Sequence, residues 1–132
     1  METEILDVAI NLQKKYTKVN EIYNITKQIE ESLYRNDYIS LKIIIDMRTD
    51  VMLEVDDIDY ERERLINNFT DDKKEFLRSL MQKGLNQDNI KDSSYFKINE
   101  LYMKINRELE KIISLDKILN LKIASENTYY KD

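Results

Sequence analysis

The scarcity of glycine and proline is the strongest constraint on what this chain can fold into. Among 132 residues there is one glycine, Gly84, and no proline. Tight turns depend on these residues, because glycine reaches positive φ and proline pre-sets the φ of a turn position. A β-rich domain of this length would need many such turns. The sequence therefore predicts long helices with few connections, and the length fits a single helical domain over residues 1–132.

Apolar residues recur at helical spacing along most of the chain. The pattern predicts helices at about residues 2–35, 38–69, 71–84 and 95–126. In the first of these, two seam positions repeat every seven residues, and most of their residues are apolar. The apolar seam residues are Ile5, Val8, Leu12, Val19, Ile22, Ile29 and Leu33.

A two-residue link separates the first two predicted helices. Asn36 tolerates the left-handed conformation that ends a helix, and Asp37 is a favoured N-cap. So short a link makes its two helices antiparallel neighbours. We therefore expect an all-α fold: an elongated, coiled-coil-like antiparallel hairpin, followed by a short third helix and a long C-terminal helix.

The later helices have start and stop signals of their own. Thr70 is expected to cap the third helix, Gly84 to stop it, and Ser94 to cap the fourth. In the second helix, Arg48 and Arg62 occupy seam positions, where the aliphatic stem is buried and the charged head reaches water. The apolar residues that we expect in the core from the second helix are Leu41, Ile44, Ile45, Val51, Met52, Val55, Ile58, Leu65 and Phe69.

The absence of histidine and cysteine removes most enzyme chemistry. Without imidazole there is no usual general base, and without thiols there is no cysteine nucleophile or cysteine zinc site. A ferritin-like metalloenzyme is disfavoured, because helical di-metal sites pair glutamate with histidine. We expect a protein that is not an enzyme and that holds no cofactor and no metal.

Charge is unevenly distributed along the chain. The net charge is −5, and residues 1–70 carry 15 acidic and 9 basic side chains. A chain without a basic patch is a poor binder of nucleic acid. Asp46, Asp50, Glu54 and Asp57 share one face of the second helix, and we call them the acidic strip. A solvated face is the favoured interpretation of the strip, ahead of a contact with a basic partner and well ahead of a metal site.

Neither a membrane span nor a signal peptide is expected. No apolar run approaches the roughly 20 residues that a span requires. The chain starts with the acidic segment Met1–Glu4, which is unlike a secretion signal. We therefore expect a cytoplasmic protein without membrane insertion.

The fourth helix has more apolar residues than one face can hold. Ile113, Ile118 and Leu121 fall off the stripe that continues from Ile98 to Ile123. The third helix, a second copy of the chain or a helix of a client protein are the alternatives for covering them. We predict that the partner-binding residues are Ile113, Ile118, Leu121, Tyr129 and Tyr130.

Two pairs of tyrosines also follow helical spacing. Tyr16 and Tyr23 share a face of the first helix, and Tyr95 and Tyr102 share a face of the fourth. Tyrosine suits surfaces that are partly dry and partly wet. Packing at a helix edge is the favoured interpretation, and a groove for a partner is the alternative.

The chain resembles the FlgN-type flagellar export chaperones. The resemblance rests on the long first helix, the polar turn, and the second helix that begins Asp37-Tyr-Ile-Ser-Leu41 and continues through Ile44, Ile45 and Arg48. Asn36 stands where the family often has glycine. Leu119-Asn120, followed by Asn127, is similar to the asparagine-containing last helix of the family.

The resemblance implies a function for the last helix. In the family, the C-terminal helical region holds an amphipathic helix of a hook-associated client, which maps here to Leu109–Ile123. The sequence thus favours a non-enzymatic export chaperone that binds a protein client. The alternative is a structural coiled-coil adaptor or homodimer with no export role.

Overall fold

A computed structural model describes the backbone of residues 2–131 and the side chains of residues 4–123. Within that part the chain is helical, without strands, and the all-α prediction is confirmed. Two long helices form an antiparallel hairpin, a short helix follows, and a long helix completes the chain, as predicted. The elements are α1 (Glu2–Tyr34), α2 (Tyr38–Asn67), α3 (Asp71–Leu80), a 3-10 turn (Gln87–Asn89) and α4 (Ser93–Lys131).

The hairpin turn forms at the predicted residues. Asn36 has a φ of 56°, the left-handed conformation that ends α1. The carboxylate of Asp37 accepts a hydrogen bond of 3.1 Å from the backbone N–H of Ser40, which caps the start of α2. Hydrogen bonding to Ser40, first through its side chain and then through its backbone N–H, stabilises the carboxylate and lowers the pKa of Asp37. The Asp37 backbone N–H also donates to the carbonyl of Ser32, so the turn closes onto α1.

The first helix is the central element, because both α2 and α4 pack along it. Ion pairs show that α2 runs antiparallel to it: Lys15 contacts Asp59 at 2.8 Å, and Lys18 contacts Glu54 at 2.5 Å. Within each pair, a later position in α1 meets an earlier position in α2. The hairpin is therefore held in register by polar contacts at its edge as well as by its apolar seam.

The fourth helix runs parallel to α1. Lysine ammonium groups of α4 lie over tyrosine rings of α1 at three levels, at distances of 3.9 to 5.9 Å from the ring centres. The pairs are Lys104 with Tyr16, Lys111 with Tyr23, and Lys122 with Tyr34. Later lysines meet later tyrosines, which fixes the parallel direction. Tyr16 and Tyr23 are half-buried here, which agrees with the edge-packing interpretation.

The hydrophobic core follows the predicted seam of α1. All seven apolar seam residues of α1 are buried, and Ile25 joins them at 4% exposure. Polar side chains also enter the core, and Asn11 shows how they are satisfied. Its amide donates to the carbonyl of Ile58 at 2.9 Å and accepts from Arg62 at 3.1 Å. The charged groups of Lys15 and Arg62 both form salt bridges with Asp59, so both are paired within the protein.

The second helix contributes less to the core than its pattern predicts. Only Val51 and Ile66 of α2 are buried, and Ile66 was not among the expected core residues. Ile45 and Met52 were expected in the core but are 42% and 46% exposed. The physical reason is that α2 meets α1 on one side only at this level, while the adjoining side faces an open groove.

Three helix ends differ from expectation. The third helix ends at Leu80, before Gly84, whose φ of 82° lies in the turn that follows. Thr70 precedes α3 as expected, but its side chain makes no capping hydrogen bond. Asp92, and not Ser94, caps α4: its carboxylate accepts from the backbone N–H groups of Ser94 and Tyr95 at 2.8 and 3.2 Å. Ser94 already lies within the first turn of α4.

The third helix packs between α2 and α4. Its Leu77 and Leu80 are buried, and the ring of Phe76 meets that of Tyr95 edge-on at 4.8 Å. Arg78 donates to Glu63 of α2 at 3.1 Å. All four helices contribute to a single cavity of about 320 Å³ beside this packing. At this end of the molecule the fold is a four-helix bundle.

Candidate partner-binding slot

An open groove lies between α2 and α4 near the hairpin turn, beyond the end of α3. Ile29 of α1 forms its floor, Ile45 and Met52 of α2 form one wall, and Leu119 and Ile123 of α4 form the other. Its volume is about 350 Å³. We call it the tip slot. The full set of residues that line it is Ile29, Ile45, Arg48, Thr49, Met52, Asp116, Leu119, Asn120 and Ile123.

The tip slot continues the space that α3 occupies at the other end of the molecule. The third helix is only 10 residues long, about 15 Å, whereas α2 and α4 span 30 and 39 residues. The section near the turn therefore has three helices where the opposite section has four. A groove between two helices, floored by a third, has the shape and polarity that accept an amphipathic helix.

A salt bridge crosses the tip slot. The guanidinium of Arg48 donates two hydrogen bonds, of 2.7 and 2.6 Å, to the two carboxylate oxygens of Asp116. The side chains are 19% and 30% exposed, so the pair is largely removed from water. Bidentate arginine–carboxylate pairs are strong and directional. The sequence placed Arg48 at a seam position with its head in water, but the head instead ties α2 to α4.

The predicted partner-binding residues of α4 are exposed but do not form one patch. Ile113, Ile118 and Leu121 are 53%, 55% and 73% exposed, so no described part of the chain covers them, and α3 is ruled out as their cover. At about 100° per residue, Ile113 and Ile118 point roughly 140° apart. Ile113 lies about one helical turn before Asp116 but does not line the tip slot, while Ile118 and Leu121 face outward.

Two further residues of the predicted site, Tyr129 and Tyr130, lie outside the residues whose side chains the structure describes. The remaining apolar residues of the segment Leu109–Ile123 divide as expected. Ile112 and Leu119 are buried at 6% and 4% exposure and face the core.

Sequence reasoning missed an exposed apolar line on α2 that lies outside the tip slot. Ile39, Ile43 and Met47 are 80%, 58% and 47% exposed and follow each other at four-residue spacing on the outer face of α2. Tyr34 and Tyr38, at the turn itself, are also exposed. Several exposed apolar side chains therefore surround the hairpin turn, while others, such as Leu6, Leu53 and Tyr60, lie elsewhere. A count of apolar residues on every face of α2, and not only on its seam, would have revealed this line.

The acidic strip lies on the outward face of α2, away from the tip slot. Asp46, Asp50 and Asp57 are exposed and form no ion pair within the described residues, while Glu54 pairs with Lys18. This arrangement agrees with a solvated face. Among residues 4–123, no three acidic, histidine or cysteine side chains converge as a metal site would require.

Asp59, outside the strip, is the one aspartate of α2 held by two cations. Burial raises the pKa of Asp59, but hydrogen bonds from Lys15 and Arg62 outweigh that effect and hold the pKa below its usual value. The cluster of Lys15, Asp59 and Arg62 has a structural role, because it joins α1 to α2.

No helix in the described part of the chain is long and apolar enough to cross a membrane. Comparison with known proteins adds no identity to this geometry. No family model, no curated protein sequence and no solved structure matches the chain.

Proposed function

We propose that this protein is a non-enzymatic helix-binding protein that holds an amphipathic helix of a client protein in the tip slot. The observation that carries the proposal is the vacant fourth-helix position: α3 fills the space between α2 and α4 at one end, and nothing in the described chain fills it at the other. Half-exposed Ile45 and Met52 along its wall are the side chains that a bound helix would cover.

The energetics favour such binding. Fully burying an apolar side chain of this size contributes about 1.5–3 kcal/mol. Ile45 and Met52 are each about half exposed, so a helix laid over them would gain part of that amount at each position. The apolar stripe of the client helix would be covered at the same time, which would suppress aggregation of a client before its assembly.

The resemblance to FlgN-type chaperones makes this proposal more specific. In that reading the protein acts in the cytoplasm and delivers a hook-associated flagellar protein to the export apparatus. The client helix would lie against the α4 segment that the resemblance indicates, Leu109–Ile123, and the structure adds the facing wall on α2.

A second candidate function is a structural adaptor or homodimer. It is favoured by the exposed line of Ile39, Ile43 and Met47, which lies outside the tip slot. A second copy could pack its own α2 against this line. The two candidates therefore use different faces of one helix, and a matched pair of variants separates them.

The test compares Ile45→Glu, in the slot wall, with Ile43→Glu, on the outer face. Both residues are exposed isoleucines of α2, so both variants should fold. The tagged variants are expressed in the source cells, and co-purified proteins are quantified by mass spectrometry. We expect Ile45→Glu to lose the client that wild-type protein and Ile43→Glu retain. The opposite pattern, together with loss of dimer in light scattering for Ile43→Glu, would favour the adaptor.

A further inference from the structure

The salt bridge across the tip slot limits which helices can bind there, if the slot holds a helix as proposed above. Arg48 lies between Ile45 and Met52 along α2, and Asp116 lies between Ile112 and Leu119 along α4. The pair therefore places two charged groups near the middle of the slot, among the apolar side chains of its walls. A bound helix with an unbroken apolar stripe would cover two charged groups without giving them any hydrogen bond, which is costly.

The pair has hydrogen-bonding capacity left over. Arg48 uses one N–H from each terminal nitrogen of its guanidinium on Asp116, so further N–H groups remain, and each Asp116 oxygen retains a lone pair. The surface of the pair thus presents a donor beside an acceptor. A side-chain amide is the uncharged group that satisfies both, because its oxygen accepts from the guanidinium and its NH₂ donates to the carboxylate.

We propose that the tip slot selects an amphipathic helix of another protein that carries one asparagine or glutamine within its apolar stripe, seated over the Arg48–Asp116 pair. Apolar residues of that helix, three or four positions before and after the amide, pack beside Ile45 and Met52. A single polar residue in an apolar seam fixes the register of the helices that pack there. The pair therefore determines where along its length the bound helix is held.

The occupant is a helix of a different protein and not a second copy of this chain. The apolar stripe of α1 is buried in the chain's own core, and Leu77 and Leu80 of α3 are buried as well. The exposed line on α2, from Ile39 to Met47, is flanked by Asp46, so a second copy would have to bury a carboxylate in the slot. Among the residues that line the slot the one cation, Arg48, is already paired with Asp116. The tip slot continues the space between α2 and α4 that α3 fills at the other end of the molecule. Because α3 is an amphipathic helix, an amphipathic helix is the segment that this space accepts.

Two synthetic peptides of 18 residues test this inference. They share one amphipathic helical sequence with leucines in the stripe and differ only at the central stripe position, which is asparagine in one and leucine in the other. Binding is measured by fluorescence anisotropy with wild-type protein. We expect the asparagine peptide to bind about tenfold more tightly, which is about 1.4 kcal/mol, because its amide forms hydrogen bonds with the charged pair that leucine cannot form.

Two double variants test whether the Arg48–Asp116 pair causes the preference for the asparagine peptide. In Arg48→Met with Asp116→Leu, the slot loses its charged pair, and we expect the leucine peptide to bind more tightly. Replacing a largely buried ion pair by apolar residues is often neutral or stabilising, so this variant should fold. The charge-swapped variant, Arg48→Asp with Asp116→Arg, keeps a donor beside an acceptor and should keep the preference for asparagine.

The outcomes separate this inference from the proposed function. Equal binding of both peptides to wild-type protein, with loss of both on Ile45→Glu, would overturn the amide selection and leave the helix slot standing. If neither peptide bound wild-type protein or the apolar double variant, the helix slot itself would be wrong.

Discussion

The side-chain amide of Asn99 donates a hydrogen bond of 2.7 Å to the backbone carbonyl of Leu80, the last residue of α3. Asn99 is fully buried, and its own oxygen accepts from Gln87 at 3.0 Å. A carbonyl at a helix end lacks a partner within the helix and needs one elsewhere. Asn99 therefore holds the end of α3 against α4, and the length of α3 in turn sets where the tip slot begins.

Replacing Asn99 by alanine should destabilise the fold by about 1–3 kcal/mol, because the buried Leu80 carbonyl loses its donor. Urea unfolding followed by circular dichroism measures the loss. The control is Asn24→Ala, at an exposed position of α1 for which no side-chain contact is described, which should change stability by less than about 0.5 kcal/mol. Equal effects for the two variants would show that the end of α3 is not held in this way.

Two leucines of α4 should respond very differently to truncation. Leu119 is 4% exposed and Leu121 is 73% exposed, although they are only two positions apart. Leu119→Ala should lower the free energy of unfolding by about 2–5 kcal/mol, through lost burial and the cavity left behind. Leu121→Ala should change it by less than about 0.5 kcal/mol. Thermal and urea melts of both variants measure this, and similar losses would place Leu121 inside the core.

Asp59 should make stability depend on pH. Since its folded-state pKa lies below its unfolded value, its stabilisation is fully present above the unfolded pKa of about 3.9 and is lost as pH falls through the folded pKa. Asp59→Asn should therefore be less stable than wild type at pH 7, and the gap should shrink below about pH 4. Asp57→Asn is the control: Asp57 is exposed and has no ion pair within the described residues, so no such closing gap is expected. Urea midpoints between pH 2 and pH 7 provide the comparison.

The cap at the hairpin turn should tolerate some replacements of Asp37 and not others. Asp37→Ala removes the acceptor for the Ser40 N–H and should lower the urea midpoint. Asp37→Asn keeps a side-chain oxygen at that place and should recover most of the loss at neutral pH. If alanine and asparagine behaved alike, the cap would not be contributing to the stability of α2.

The first helix could be predicted well from sequence because both of its neighbours pack along one broad stripe. Ile5, Val8 and Leu12 repeat with the helical period, and burial follows the same period. The turn was predictable for a similar reason, since Asn36 and Asp37 have local preferences that need no tertiary context.

The second helix could not be predicted in the same way. Periodicity shows which residues share a face, but it does not show whether a neighbouring helix covers that face. Ile45 and Met52 follow the same period as Val51 and Val55, yet they border an open groove. The groove arises because α3 is shorter than α2 and α4, and its end depends on Asn99, some twenty residues later in the chain.

The parallel arrangement of α1 and α4 has a consequence for the order of folding. The hairpin of α1 and α2 closes through a two-residue link, whereas Tyr16 of α1 meets Lys104 of α4 only after the start of α4 has been made. Contacts between distant segments cost more loop-closure entropy and form later. On the ribosome, the hairpin can therefore assemble before α4 exists. The wall that α4 gives to the tip slot is made after the wall from α2, so a client helix can be held in the slot only once α4 has been synthesised.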